Sequence, residues 1–223
     1  MWLLSDRCKG TSSHQLARDL GVTQKSAWFL AHRIRAAWAD TYTTDRFEGP
    51  VEVDETWIGD RATSRHATRQ KDPTLDVHTP VIGTVDHDSG KSVAVPIERT
   101  NAATLVGFVK ERTTPGAMVR TDEHKSHAGL GGLGYRHSTV THSRGVYVAS
   151  DGASTNSIES FWSLLKRGYV GTYHYWSRKH LGRNLVEFTT RHNARHVAPV
   201  ARLKALAAGC DGKRLDWATL TPC

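Results

Sequence analysis

The stretch from Val51 to Asp60, VEVDETWIGD, constrains the fold more than any other part of the chain. It follows a Gly49-Pro50 break and begins as strict alternation, with Val51 and Val53 apolar and Glu52 and Asp54 acidic. That period of two predicts a short strand with one buried face. The opposite face then carries two carboxylates, and Glu55 follows at once as a third. Like charges this close repel and raise one another's pKa unless a cation lies between them. A hard divalent metal is the usual such cation. An exposed acidic face on an edge strand is the plainer reading, and two acidic positions downstream, Asp122 and Glu159, weigh against it.

The rest of the chain supplies elements around this strand. Residues Thr11 to Ala39 read as two helices: Ser12 or Ser13 caps the first, Gly21 ends it, and Thr23 caps the second. Ala27, Leu30, Ala31 and Ile34 form the second helix's apolar face. A helix, a short turn and a helix opening TQKSAW is a helix-turn-helix pattern, with Gln24 and Lys25 at the end that meets base edges. A plain helical hairpin has the same pattern. Residues 41–50 read as a linker and Arg61 to Asp76 as a polar loop. Thr79 to Asp86 and Lys91 to Ile97 predict a hairpin across HDSG. Asn101 to Arg112 predicts a capped helix, Ala117 to Thr121 a fourth strand delivering Asp122, and Tyr135 to His142 a fifth. Helices follow from about Asn156 and over Arg178 to Arg195.

Charge narrows the class of partner. The chain carries 30 Lys and Arg against 22 Asp and Glu, a formal +8. Between Asn156 and Lys204 nine basic residues, among them Lys166, Arg167, Lys179, Arg183 and Arg191, face only Glu159 and Glu187. Such a field suits a polyanion, most often nucleic acid, although a solvated helix face has the same composition. No run approaches the ~20 apolar residues of a membrane span. The opening MWLLSDRCKG is too short for a signal peptide. Cys8, Cys210 and Cys223 form no CxxC pair, so neither a disulfide framework nor a zinc ribbon is expected, and a reducing cytoplasm is the default. Thirteen His show no ligand spacing and read as scattered surface residues.

Three antiparallel strands, a helix, a strand, more helix, a strand and a final helix predict a ribonuclease-H-like α/β domain, a mixed sheet flanked by helices. That fold brings together the middle of its first strand, the end of its fourth and a late helix, which here hold Asp54, Asp122 and Glu159. The expected boundaries are a helix-turn-helix-like segment at 1–40, the linker at 41–50, the catalytic domain at 51–200 and a tail at 201–223.

Three blocks, VEVDETWIG, TDEHKSHAGL and TNSIESFWSLLKRGYVGTYHYWSRKHLGRNLVEFTTRHNAR, together resemble the DDE transposases of bacterial insertion sequences, specifically the ISXO2-like family. The resemblance runs from about Cys8 to Arg195. It implies two magnesium or manganese ions, held by Asp54, Asp122 and a third ligand, which cut DNA and join its 3′ end to a target. Glu159 is the natural third ligand, with Lys166 completing an E-x6-K pattern; some branches use Asn, which makes Asn156 the alternative. Double-stranded DNA, both transposon ends and target, is the implied partner, bound by a homo-oligomer in the bacterial cytoplasm at the nucleoid. Family members usually have His-Thr-Asn where this chain has Ser154-Thr155-Asn156, and many begin with a zinc ribbon, so an N-terminally truncated copy is one expectation.

The chemistry requires these residue types. In-line phosphodiester cleavage needs an activated hydroxyl and charge stabilisation on the leaving oxygen, which two hard cations about 3.5–4 Å apart supply. Three protein ligands suffice because magnesium keeps waters and takes substrate phosphates. Glu55 and Glu123 are expected to tune the local field, and Glu52 to support Asp54 from the same strand face. Phe161 and Trp162 read as core; Tyr173 to Trp176, set among basic residues, as either core or a base-stacking platform. Two rival functions remain: a transposase-derived DNA-binding regulator, and a nuclease of this fold that cuts without joining.

Overall fold

A computed structural model describes residues 1–42, 46–59, 78–122, 129–139 and 155–221. The chain divides into two compact units, Thr44–Ser163 and Met1–Thr43 with Leu164–Cys223. This division differs from the boundaries expected from sequence, because Leu164–Cys223 joins the N-terminal helices in one unit.

The sheet unit grows from strand β1, Val51–Gly59. Its neighbours are β2, His78–Asp86, β3, Ser92–Pro96, β4, Met118–Thr121, and β5, Arg136–Thr139. The sheet order is β3-β2-β1-β4-β5. β1–β2 and β2–β3 are antiparallel, whereas β4 runs parallel to β1 and β5 parallel to β4. The expected mixed, ribonuclease-H-like sheet is present, with the acidic strand at its centre rather than at an edge. Central placement accounts for the burial of both faces over the first half of β1, Val51 to Val53, where flanking strands and helices cover it.

Alternation then sorts the side chains. Val51 and Val53 are fully buried in a core with Ile82, Val119 and, from helix α4 (Ala102–Arg112), Leu105, Phe108 and Val109. Each such side chain contributes about 1.5–3 kcal/mol on burial. Asn101 caps α4 by accepting from the Thr104 N–H at 2.9 Å. Phe47, from the expected linker, packs into the same core, and its N–H donates to the Arg112 carbonyl at 2.8 Å.

The other face of β1, carrying Glu52, Asp54 and Thr56, meets the start of helix α5, Asn156–Gly168. Gly83 lies opposite Asp54 in the β1–β2 register. A Cβ there would stand 2.5 Å from Trp162 Cη2, so only glycine lets the indole lie against the sheet.

The helical unit contains α1, Trp2–Asp6, α2, Ser13–Leu20, and α3, Gln24–Ala37. It also holds α6, Arg178–Asn193, α7, Pro199–Ala208, and α8, Trp217–Leu220. Ser12 caps α2 and Thr23 caps α3, each accepting from the N–H three residues on, at 3.2 and 3.1 Å. Gly21 ends α2 at φ 66°, a left-handed conformation that favours glycine and makes the short turn into α3. Leu4, Leu16, Ala27, Ala31, Ile34, Trp38 and Leu206 form the core. The segment expected as a tail thus contains helices, with Leu206 and Leu220 buried, because its apolar residues recur at helical spacing.

The expected loop Arg61–Asp76 lies outside the described residues, as do Glu123, His124, His127, His142 and Ser154.

Candidate active site

Strand pairing brings Asp54 and Asp122 to one place. β1 and β4 pair in parallel with Val51 opposite Val119 and Glu52 opposite Arg120. Asp54 and Asp122 each follow the paired residues by two positions, Asp122 just past the end of β4, and strand parity assigns both to the face that carries Glu52. The electrostatics agree. The Asp54 carboxyl is pushed up to about 6, first by burial and then by the negative charges of Asp122 and Glu55. Two donors act against that rise without cancelling the charge. The Glu55 N–H donates to Asp54 Oδ1 at 2.8 Å, and Trp162 Nε1 donates to Oδ2 at 3.0 Å. Asp54 is thus an oriented carboxylate with acidic neighbours, a donor set that fits a hard divalent cation.

Helix α5 is registered over β1 at two points. Glu52, fully buried, accepts from the Ile158 N–H at 2.9 Å, one of the amides that no helical carbonyl reaches in a first turn. Its negative charge also suits a helix N-terminus. The second point is Trp162 on Asp54. Two residues along a strand rise about 6.6 Å and four along a helix about 6 Å, so both bonds form together. The other Glu52 oxygen is 3.9 Å from Nδ1 of exposed His87.

The third-ligand candidates lie on this helix. Asn156 is its first residue and Glu159 is one turn on. Thr155 Oγ1 donates to Glu159 Oε1 at 3.4 Å. Among the described residues, no three His, Cys, Asp or Glu side chains are grouped closely enough to hold a metal ion. The structure therefore pairs Asp54 with Asp122 and does not gather Glu159 into a three-residue cluster with them.

The expected DNA-contacting residues fall in the helical unit. Lys166 and Arg167 are exposed in the last turn of α5, and Lys179 is exposed on α6. Arg183 is half-buried, with Nη1 3.3 Å from His180 Nδ1. Gln24 and Lys25 are engaged within the chain: Gln24 Nε2 donates to Ser13 Oγ at 2.8 Å, and Lys25 Nζ lies 4.6 Å above the Trp217 ring.

Sequence reasoning missed Trp162 as a partner of Asp54, placing it only in the core; it is buried and does both. It also passed over Gly83. A glycine inside the strand-forming run TPVIGTVD signals close approach of another group, which here is the Trp162 indole.

A mixed sheet of this order, with the charge of Asp122 acting on Asp54, defines a ribonuclease-H-like domain with a candidate acidic site. The ISXO2-like transposase domain matches residues 46–193, well over half of the chain. The chain belongs to the ISXO2-like transposase family. Comparison with curated proteins gives no match. Among solved structures, the chain is similar to one described as a simian T-cell lymphotropic virus intasome in complex with PP2A regulatory subunit B56 gamma, at 13% identity and a TM-score of 0.40. That similarity covers 84% of this chain and 66% of the other, just under two-thirds of its length. The fold assignment rests on the strand order itself. Among the described residues no helix is long and apolar enough to cross a membrane.

Proposed function

We propose that the chain is a DNA transposase that cleaves and joins strands at a site built on Asp54 and Asp122. The observation that carries this reading is the charge of Asp122 acting on Asp54, which is raised to about 6, with β1 and β4 paired in parallel just ahead of both residues. Asp54 and Asp122 would hold two divalent cations, magnesium or manganese, with Glu159 as third ligand and Asn156 as the alternative. Such ions would supply activation of the attacking hydroxyl and charge stabilisation at the leaving oxygen. The chain's own residues orient the site. Trp162 and the Glu55 amide fix both oxygens of Asp54, and Glu52 holds the first turn of α5, which carries both third-ligand candidates. Lys166, Arg167, Lys179 and Arg183 bind backbone phosphates, and Gln24 and Lys25 approach base edges once released from Ser13 and Trp217. The working form is a homo-oligomer on paired DNA ends in the bacterial cytoplasm.

The test is a strand-transfer assay with element-end DNA, a supercoiled target and magnesium. The wild-type chain is expected to give joined product, and Asp54→Ala and Asp122→Ala none, with DNA binding retained. Nicking without joining supports a nuclease instead, and binding without either supports a regulator. Full activity in Asp54→Ala ends the assignment. Glu159→Gln and Asn156→Ala, compared in the same assay, identify the third ligand.

A further inference from the structure

The helical unit holds a cleft of about 510 Å³ between the start of α2, the middle of α3 and the segment from Thr172 to Asn184. Its size falls within the range of roughly 300–1,000 Å³ typical of small-ligand sites. The walls are aromatic. Trp28 stands edge-on to His32 at 4.5 Å and to His180 at 5.2 Å, and the two imidazoles are 4.9 Å apart. Tyr175 and Trp176 line the opposite segment, with Tyr175 65% exposed and Trp176 buried. Two buried polar atoms of this lining, His32 Nδ1 and Trp176 Nε1, have no hydrogen-bond partner among the described residues. A buried donor or acceptor left unpaired is costly, and a ligand that pairs it recovers that cost.

Charge selects the kind of ligand. Arg35 lies at this cleft, but its Nε is bonded to Glu187 at 2.6 Å, so its charge is already matched. His32 is pushed down to about 2 by burial and by the nearby charges of Arg35, His180 and Arg183, which leaves it neutral. Among the described lining residues Arg35 is the only Lys or Arg, and Glu187, which it shares with Arg191, already holds it. Positive charge sits instead beside His180, on Lys179 and Arg183, both of which lower its pKa after burial does. A neutral aromatic interior beside a basic rim matches one nucleotide, with its flat ring inside and its phosphate outside.

We propose that this cleft receives a single unstacked nucleobase of the DNA substrate, with the adjoining phosphate against Lys179 and Arg183. The proposal rests on the reading of the chain as a DNA-acting enzyme. Trp28, His180 and Tyr175 supply ring contacts. Trp176 Nε1, a donor only, and the neutral His32 ring, one donor and one acceptor, meet the polar edge of the base.

The full chain is titrated with two duplexes, one fully paired around a 2-aminopurine and one carrying the same 2-aminopurine as an unpaired bulge. The bulged duplex is expected to bind roughly ten-fold tighter, the scale of one base–aromatic stack, with a change in 2-aminopurine emission on binding. Trp28→Ala and Tyr175→Ala are expected to remove that preference while leaving paired-duplex affinity unchanged; the exposure of Tyr175 lets its variant fold even where Trp28→Ala does not. Trp176→Phe, which keeps a ring and deletes the N–H, is expected to reduce it several-fold. Equal binding of both duplexes by the wild-type chain, or an equal loss on both in Tyr175→Ala, overturns the proposal while leaving the transposase reading intact. Binding of neither duplex overturns both.

Discussion

Asp54 in the sheet unit and Glu187 in the helical unit are both carboxylates taken out of water, and their neighbours treat them in opposite ways. Glu187, fully buried, accepts from Arg35 Nε at 2.6 Å and from the Tyr173 hydroxyl at 2.7 Å, and is also bonded to Arg191. Burial alone would raise its pKa, yet the two guanidiniums hold it below the ordinary range. Asp54 is pushed up to about 6 by burial, Asp122 and Glu55, and among the described residues its donors are the Glu55 amide and the Trp162 indole. Among the described residues, guanidiniums meet the charge of Glu187, whereas the groups bonded to Asp54 are neutral. A buried acid with cations around it is architecture; one aligned with a second acid and oriented by neutral donors is arranged for a ligand.

The largest test of this contrast is functional. Asp54→Ala and Asp122→Ala are each expected to cost about a thousand-fold or more in strand-transfer product, because charge stabilisation at the leaving oxygen goes with them. Glu187→Gln is expected to cost about 3–5 kcal/mol of stability by leaving Arg35 and Arg191 under-paired, measured by urea unfolding. Asp54→Asn has the opposite sign. The folded pKa of Asp54 lies above its unfolded value, so its contribution is favourable at low pH and lost as pH rises through about 6. Without added metal at pH 8, Asp54→Asn should therefore raise stability, by about 1–2 kcal/mol. Destabilisation there as large as that of Glu187→Gln would erase the distinction between the two sites.

Local rules made much of this legible in the sequence. The period of two in VEVD, the caps Ser12, Thr23 and Asn101, and the turn glycine Gly21 each act within a few residues, and each is found in the structure. Asp54 and Asp122 could be related only through strand order, which the alternation pattern supplied. Contacts without a local signature were not legible. Arg35 and Glu187 are 152 residues apart, so a count of basic residues treated Glu187 and Arg191 as part of a surface field when they are buried partners. Gln24 and Lys25 read as base-contacting residues, yet Lys25 covers Trp217 of α8, a helix the sequence reading left within a tail. Five-residue α1, with no side-chain cap bond, offered no start signal.

Gly83→Ala sharpens the account of the sheet unit. The added methyl would meet Trp162 Cη2 at 2.5 Å, so the indole must shift, at a cost of about 1–3 kcal/mol. The shift also withdraws Nε1 from Asp54, so product formation should fall further than stability predicts. Equal stability and activity to wild type would mean that Trp162 does not position Asp54. Trp162→Phe separates the two effects, since it keeps the ring and deletes the donor; unchanged activity there would assign Trp162 to packing alone.

The smallest effect tests the helical unit by its response to acid. His32 is pushed down to about 2 and His192 to about 4, in both cases first by burial, against an ordinary value of 6.5. An unfolded chain therefore binds protons that the folded unit refuses. Stability from these residues is complete above about 6.5 and declines as pH falls, by about 1.4 kcal/mol per pH unit for each proton taken up. Asp54 titrates in the other direction, so acidification should loosen the helical unit while relieving the sheet unit. Hydrogen exchange at pH 7.5 and 5.0, read as protection factors so that the pH dependence of intrinsic exchange cancels, reports the units separately: lower protection in α3 and α6 at the lower pH is expected, with β1 and β4 protected as well or better. His32→Gln should remove about one proton's share of the slope in α3. An unchanged slope would mean that His32 takes up its proton without unfolding of the helical unit.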